Sequence, residues 1–234
     1  MLIYYITDRT QFAGSEAERR SQLLRTIGKA AAAGIDYIQL REKDLSIGEL
    51  ELLAREALHL IRAEGPSRLL INHRTDVALA VGADGVHLTG TDIAASDARA
   101  LAAKCSSVSR RFLIAASCHS AQEVRLAEAH GADFAVLAPI FEKANVEANL
   151  EKANVLRDGI GVEELRRAAR RDTSPDLRVE AGDTRRTFPV FALGGVDEER
   201  ARQCAAAGAA GIAGIRLFQQ SLDLPALIRS LRLL

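Results

Sequence analysis

The sequence predicts a single (β/α)8 barrel over residues 1–234, and three observations predict it. Short continuous apolar runs alternate with longer stretches of helical periodicity, as in a parallel sheet covered by helices. Four times an alanine-rich helix end meets a glycine and then an apolar run: "AAAGIDYIQL" (31–40), "AVGADGVHL" (80–88), "AHGADFAVLAP" (129–139) and "AAGAAGIAGI" (206–215). Glycine takes the left-handed backbone that ends a helix, so each is an αβ joint. The third observation is the count of strand-length runs, which is eight.

In order, strand one is "LIYYI" (2–6), strand two follows the first joint, and "SIGELELLAREALHLIRAE" (46–64) has the spacing of an amphipathic helix. "RLLIN" (68–72) is strand three and "FLIAAS" (112–117) strand five, with strand four between them after the second joint. The third joint leads into strand six, "PVFAL" (189–193) is strand seven, and the last joint gives strand eight. A doubly wound open sheet could be built from the same units and is the structural alternative.

Two segments break the rhythm. Residues 139–160 follow strand six and overhang the barrel mouth, where a lid would sit; "EKANV" occurs there twice, from Glu142 and from Glu151. Nine residues at about 100° each put the copies on opposite sides of a helix, which favours a lengthened loop over a packed helix. Residues 172–188 lie on an αβ connection, are polar and turn-rich, and are expected to be mobile and functionally silent.

Bulk composition narrows the function. Thirty-one basic and 31 acidic side chains leave no net field, so neither nucleic acid nor an anionic membrane is an expected partner. No apolar stretch approaches the roughly 18 residues of a membrane span, and the first ten residues have no leader pattern, so a cytoplasmic protein is expected. Cys105, Cys118 and Cys204 are too few and too scattered for a disulfide framework or zinc pairs, and read as reduced, packed thiols. The oligomeric state is left open, a homo-oligomer included.

In such barrels chemistry sits at the carboxyl ends of the strands. That rule selects Thr7, Asp8 and Arg9; Gln39, Arg41 and Lys43; Asn72, His73 and Asp76; His87 and Asp92; Ser117 and His119; Gly194 and Gly195; and Gly214 and Arg216. Strand alternation through "IQLREKD" puts Gln39, Arg41 and Lys43 on one side, a donor set suited to a diphosphate. A solvated ion-pair cluster with Glu42 and Asp44 is the other reading of those charges. The two glycines of "FALGGV" can offer backbone N–H groups to a phosphate without any basic side chain, or make a plain turn. Asp92 and His73 supply oxygen and nitrogen to a metal. His59 and His130, on helices, read as structural.

The motifs "YYITDR", "YIQLREK", "LLINHRTDVALAVGADGVHL", "SCHSAQEV", "GADFAVLAPIF" and "FALGGV", in this order from residue 4 to about 218, resemble those of the thiamine phosphate synthase and thiazole tautomerase superfamily. The resemblance implies a TIM barrel that joins a pyrimidine diphosphate to a thiazole phosphate and expels pyrophosphate, with Mg2+ as cofactor. It implies that Gln39, Arg41 and Lys43 hold the diphosphate, that Asn72 contacts the pyrimidine or diphosphate, and that Asp92 ligates the metal. Ser117 would lie by the reacting centre, and Gly194 and Gly195 would cradle the thiazole phosphate.

Three positions depart from the family pattern. His73 stands where the first metal-binding aspartate is expected. The threonine–lysine motif after strand six is matched by Lys143, Ala144, Asn145 and Val146, which makes Lys143 and Asn145 the candidates there, with Lys143 ahead of Lys152. Arg216 replaces a phosphate-binding serine. The alternatives are a tautomerase-like isomerase, with His119 or His73 as acid/base, and a barrel that binds thiamine precursors without turning them over.

Overall fold

The computed structural model describes residues 1–105, 111–141, 159–170 and 188–234. Eight strands, β1 (Leu2–Ile6), β2 (Tyr37–Leu40), β3 (Arg68–Asn72), β4 (Gly85–Leu88), β5 (Leu113–Cys118), β6 (Phe134–Leu137), β7 (Val190–Ala192) and β8 (Gly211–Gly214), pair in parallel and in sequence order. Pairing of β8 with β1, from Leu2 against Gly211 to Tyr5 against Gly214, closes the barrel. The open-sheet alternative is thereby removed.

Helices α1 (Glu16–Ala32), α2 (Ile47–Glu64), α3 (Thr75–Val81), α4 (Ala95–Ala103), α5 (Ala121–Ala129), α6 (Gly161–Ala169) and α7 (Glu198–Ala206) run between the strands. A short α8 (Arg216–Gln219) and α9 (Leu224–Arg232) follow β8. Capping boxes start α1 (Ser15 with Glu18) and α2 (Ser46 with Glu49), each stabilising its helix by about 1 kcal/mol. Among the described residues no helix is long and apolar enough to cross a membrane.

All four joint glycines, Gly34, Gly82, Gly131 and Gly208, have positive φ, between 69° and 95°. In three of the joints an aspartate follows two residues on, and its role was not read from the sequence. Asp36, Asp84 and Asp133 accept the N–H groups of Ile3, Leu69 and Ile114, at 2.8–3.0 Å. Each carboxylate thus satisfies an amide near the start of the preceding strand and fixes where that strand enters the barrel.

Alternation divides the core. Ile3 and Tyr5 pack outward under the helices, whereas Tyr4 and Ile6 pack inward with Leu70, Leu113, Phe134, Val136 and Phe191. The ring of Tyr4 meets those of Tyr37, Phe134 and Phe191 edge-on at 5.6–5.9 Å. Gly211 makes room for one of them: a Cβ there would stand 2.4 Å from the Phe191 ring. Cys118 and Cys204 are buried, and burial pushes both thiols up to about 12, as expected of inert packed cysteines.

Candidate active site

Inward positions at the carboxyl ends of the strands differ from one half of the barrel to the other. Strands β2 to β5 place Gln39, Asn72, His87 and Ser117 there, while β1, β7 and the turn after β8 place Ile6, Leu193 and Ile215. Hydrogen bonds link the polar four in pairs: Gln39 Nε2 donates to Asn72 Oδ1 at 3.1 Å, and His87 Nε2 lies 2.8 Å from Ser117 Oγ. Tyr4 reaches up from below, with its hydroxyl 3.0 Å from His87 Nδ1. Burial, helped by the nearby charge of Arg41, pushes the His87 imidazole down to about 3, so it is neutral in the working pH range. His87 was selected at the end of strand four, but its partners Tyr4 and Ser117 lie 83 and 30 positions away and were not legible.

The strand alternation expected over residues 39–43 stops at Leu40, where β2 ends. Arg41 is half-buried, and its guanidinium has no hydrogen-bond partner among the described residues. Lys43 is exposed on the turn that follows. Between them Glu42 turns into the protein and is only 5% exposed. The ion pairs expected of Glu42 and Asp44 do form, but with Arg9, and the Glu42 pair is buried rather than solvated. Arg9 donates to Glu42 from both its backbone N–H (3.0 Å) and its Nη1 (3.2 Å), and it grips Asp44 with two further bonds.

Thr7 completes this cluster: its hydroxyl donates to Glu42 at 2.5 Å and accepts the backbone N–H of Arg41 at 2.9 Å. Burial raises the Glu42 pKa, while the donors from Thr7 and Arg9 oppose that rise. Asp44 does most to keep Arg9 charged. Thr7 and Arg9, selected as site residues, therefore support the loop that carries Arg41. Asp8 caps a single 3-10 turn, Arg9–Gln11, by accepting Thr10 N–H.

His73 and Asp92 come together as a pair, His73 Nδ1 against Asp92 Oδ1. The second Asp92 oxygen is held by the N–H and hydroxyl of Thr89, at 2.6 and 2.9 Å. Mg2+ asks for free oxygen ligands and accepts imidazole poorly. With one carboxylate oxygen covered by His73 and the other by Thr89, these two residues as placed do not fit Mg2+. Among the described residues no group of three His, Cys, Asp or Glu could hold a metal. His73 is also the one non-glycine residue of positive φ (67°) among those described, a conformation in which His, Asp and Asn are all enriched. His73→Asp is expected to fold and to bind Mg2+ about tenfold more tightly than the native chain in the presence of pyrophosphate, by calorimetric titration.

Across the mouth, Gly194 and Gly195 both have positive φ, 99° and 63°. Neither amide donates to another described residue, so two adjacent N–H groups remain for an anion. The turn is braced from two sides. Arg200 donates to the Gly195 carbonyl at 2.7 Å and lies 5.0 Å above the Phe141 ring, while Gly194 lies so close to Pro139 that an added Cβ would stand 2.7 Å from the proline Cβ. Gly194→Ala is expected to cost about 1–3 kcal/mol of stability by urea unfolding, from the strained φ and that collision.

Arg216 is exposed at the start of α8, without a hydrogen-bond partner among the described residues. His119 is exposed beyond Ser117, and its Nδ1 donates to the carbonyl of Ala138 at 2.6 Å, tying the end of β5 to the loop after β6. Lys143, Asn145 and Lys152 lie outside the described residues, as do most of the 139–160 loop and of the 172–188 insertion. A cavity of about 700 Å3 opens at the opposite end of the barrel, lined by Tyr37, Arg68, Phe134 and Phe191, and includes none of the candidate site residues.

Comparison with known proteins bears on the family. A family model described as thiamine monophosphate synthase matches residues 3–218. The chain is 32% identical to a thiamine-phosphate synthase of Methanoculleus marisnigri over 98% of its own length and 93% of the relative's. It is 31% identical to that of Syntrophomonas wolfei over 98% and 94%. The structure of a thiamine phosphate pyrophosphorylase from Pyrococcus furiosus superposes with a TM-score of 0.72 at 26% identity, covering 99% of this chain and 93% of that one. Motif order, closed barrel and whole-length similarity place the chain in the thiamine monophosphate synthase family.

Proposed function

We propose that this chain joins a hydroxymethylpyrimidine diphosphate to a thiazole phosphate and releases pyrophosphate. The observation that carries the proposal is a pair of anion seats on opposite arcs of the mouth: the guanidinium of Arg41, just past β2, and the amides of Gly194 and Gly195, past β7, all without a hydrogen-bond partner among the described residues. Two seats suit two phosphorylated substrates brought together for one transfer. In that transfer the bond between the pyrimidine methylene carbon and the diphosphate oxygen breaks, and its electron pair leaves with pyrophosphate. The thiazole nitrogen lone pair then forms the new carbon–nitrogen bond, leaving a thiazolium.

No proton moves in this step, so the chain needs cations and alignment more than a base. Arg41 and Lys43 stabilise the charge that grows on the leaving group, and Gln39 with Asn72 orients its ring or inner phosphate. Gly194 and Gly195 hold the thiazole phosphate through backbone donors, with Arg216 adding positive charge nearby. The neutral, buried His87 is not suited to proton transfer, whereas the exposed His119 would serve an isomerase.

The test is to incubate the purified chain with both substrates, with and without added Mg2+, and to measure thiamine phosphate and pyrophosphate together. Equal amounts of the two products are expected, and the absence of both would overturn the reading. Incubation with the thiazole phosphate alone, followed by NMR, would reveal isomerase activity.

A further inference from the structure

Three hydroxyl or ring groups form a line from the barrel interior to the site. Tyr4 is fully buried, and its hydroxyl has one hydrogen-bond partner among the described residues, His87 Nδ1 at 3.0 Å. On the other side of the imidazole, Nε2 stands 2.8 Å from Ser117 Oγ. Ser117 is half-buried at the end of β5, and this is its one side-chain hydrogen bond among the described residues.

The line can be polarised in two ways. If His87 carried its proton on Nδ1, the ring would donate to Tyr4, and the tyrosine's own proton would be buried with no acceptor. An unsatisfied buried donor shifts such an equilibrium by about tenfold or more. With the proton on Nε2, both buried groups are satisfied: Tyr4 donates to Nδ1, and Nε2–H donates to Ser117 Oγ. Ser117 then receives a hydrogen bond from behind, and its own proton, with no acceptor among the described residues, is left for water or a ligand in the mouth. In the opposite polarity that proton would be spent on His87, and Ser117 could only accept.

We propose that Tyr4 and His87 are positioning residues that set Ser117 as a hydrogen-bond donor toward the substrate, so that Ser117 recognises an acceptor atom on a heteroaromatic ring. That the ring belongs to the pyrimidine diphosphate rests on the synthase reading; the polarity of the line does not.

Two experiments on the full chain separate these. Long-range 1H–15N correlation spectra of the ligand-free, 15N-labelled protein, with His87 assigned by its loss in His87→Gln, should show the Nε2–H tautomer. A dominant Nδ1–H tautomer would overturn the proposal whatever the enzyme's activity. In the second, calorimetry measures the Kd of the pyrimidine diphosphate for Tyr4→Phe, Ser117→Ala and the double variant. Each single change should weaken binding about tenfold, and the double variant should bind no more weakly than Ser117→Ala. Penalties that multiply in the double variant would mean that Tyr4 only packs the barrel, and would overturn its positioning role. If the tautomer is as stated but no thiamine phosphate is formed, the synthase reading fails and the polarity of Ser117 stands.

Discussion

Arg9→Ala should lower folding stability by about 3–5 kcal/mol. The Arg9 and Glu42 side chains are 4% and 1% exposed, so the variant leaves a carboxylate in the protein without its cation. Asp44 and Glu16 are largely exposed and lose little when Arg9 is removed. Without Arg9 the Glu42 pKa rises further above its unfolded value. Such a group stabilises the fold below its unfolded pKa and stops doing so as pH rises through the folded one. The penalty should therefore be largest at neutral pH and shrink toward pH 4, and Arg9→Ala/Glu42→Gln should recover a large part of it. Urea unfolding of the three proteins at pH 7 and pH 4.5 checks this. A penalty independent of pH would mean that the cluster contributes packing rather than charge compensation.

Arg41→Ala should do the reverse, leaving stability nearly unchanged and lowering kcat/KM by about a hundredfold. The half-buried guanidinium has no described partner to lose, and its place just past β2, close enough for its charge to act on His87, suits it to the leaving diphosphate. Arg41→Lys should recover only part of the loss, because an ammonium cannot make the two parallel bonds of a guanidinium. Steady-state kinetics with the pyrimidine diphosphate varied, alongside thermal melts, separate the two effects. A melt shifted as far as that of Arg9→Ala would assign Arg41 to the fold.

These two arginines show what the sequence makes legible. The barrel could be read because each strand is a continuous apolar run and each joint has a glycine at the same offset, signals local to a few residues. Arg41 could be read because it follows a strand directly. Arg9 was visible as a strand-end residue, but its partner Glu42 lies 33 positions away, and it is the pairing of β1 with β2 that brings them together. The ion pair of Glu42 is buried rather than solvated because Thr7 and Arg9, from the end of the neighbouring strand, close over it. Tyr4 was hidden differently: an aromatic in an apolar strand looks like core, and most of its ring is core. Its function rests on one oxygen atom. The Asp36, Asp84 and Asp133 bonds to neighbouring strands escaped notice because aspartate after glycine reads as ordinary turn chemistry.

The unequal halves of the barrel mouth bear on how such a chain can change. Gln39, Asn72, His87 and Ser117 occupy one arc of four successive strands, and the remaining strands close the ring with aliphatic and aromatic side chains. Substitutions that retune ligand choice can accumulate along the first arc while the second keeps the ring shut. A chimera that exchanges residues 37–118 with those of a relative would move that arc as one inheritable unit.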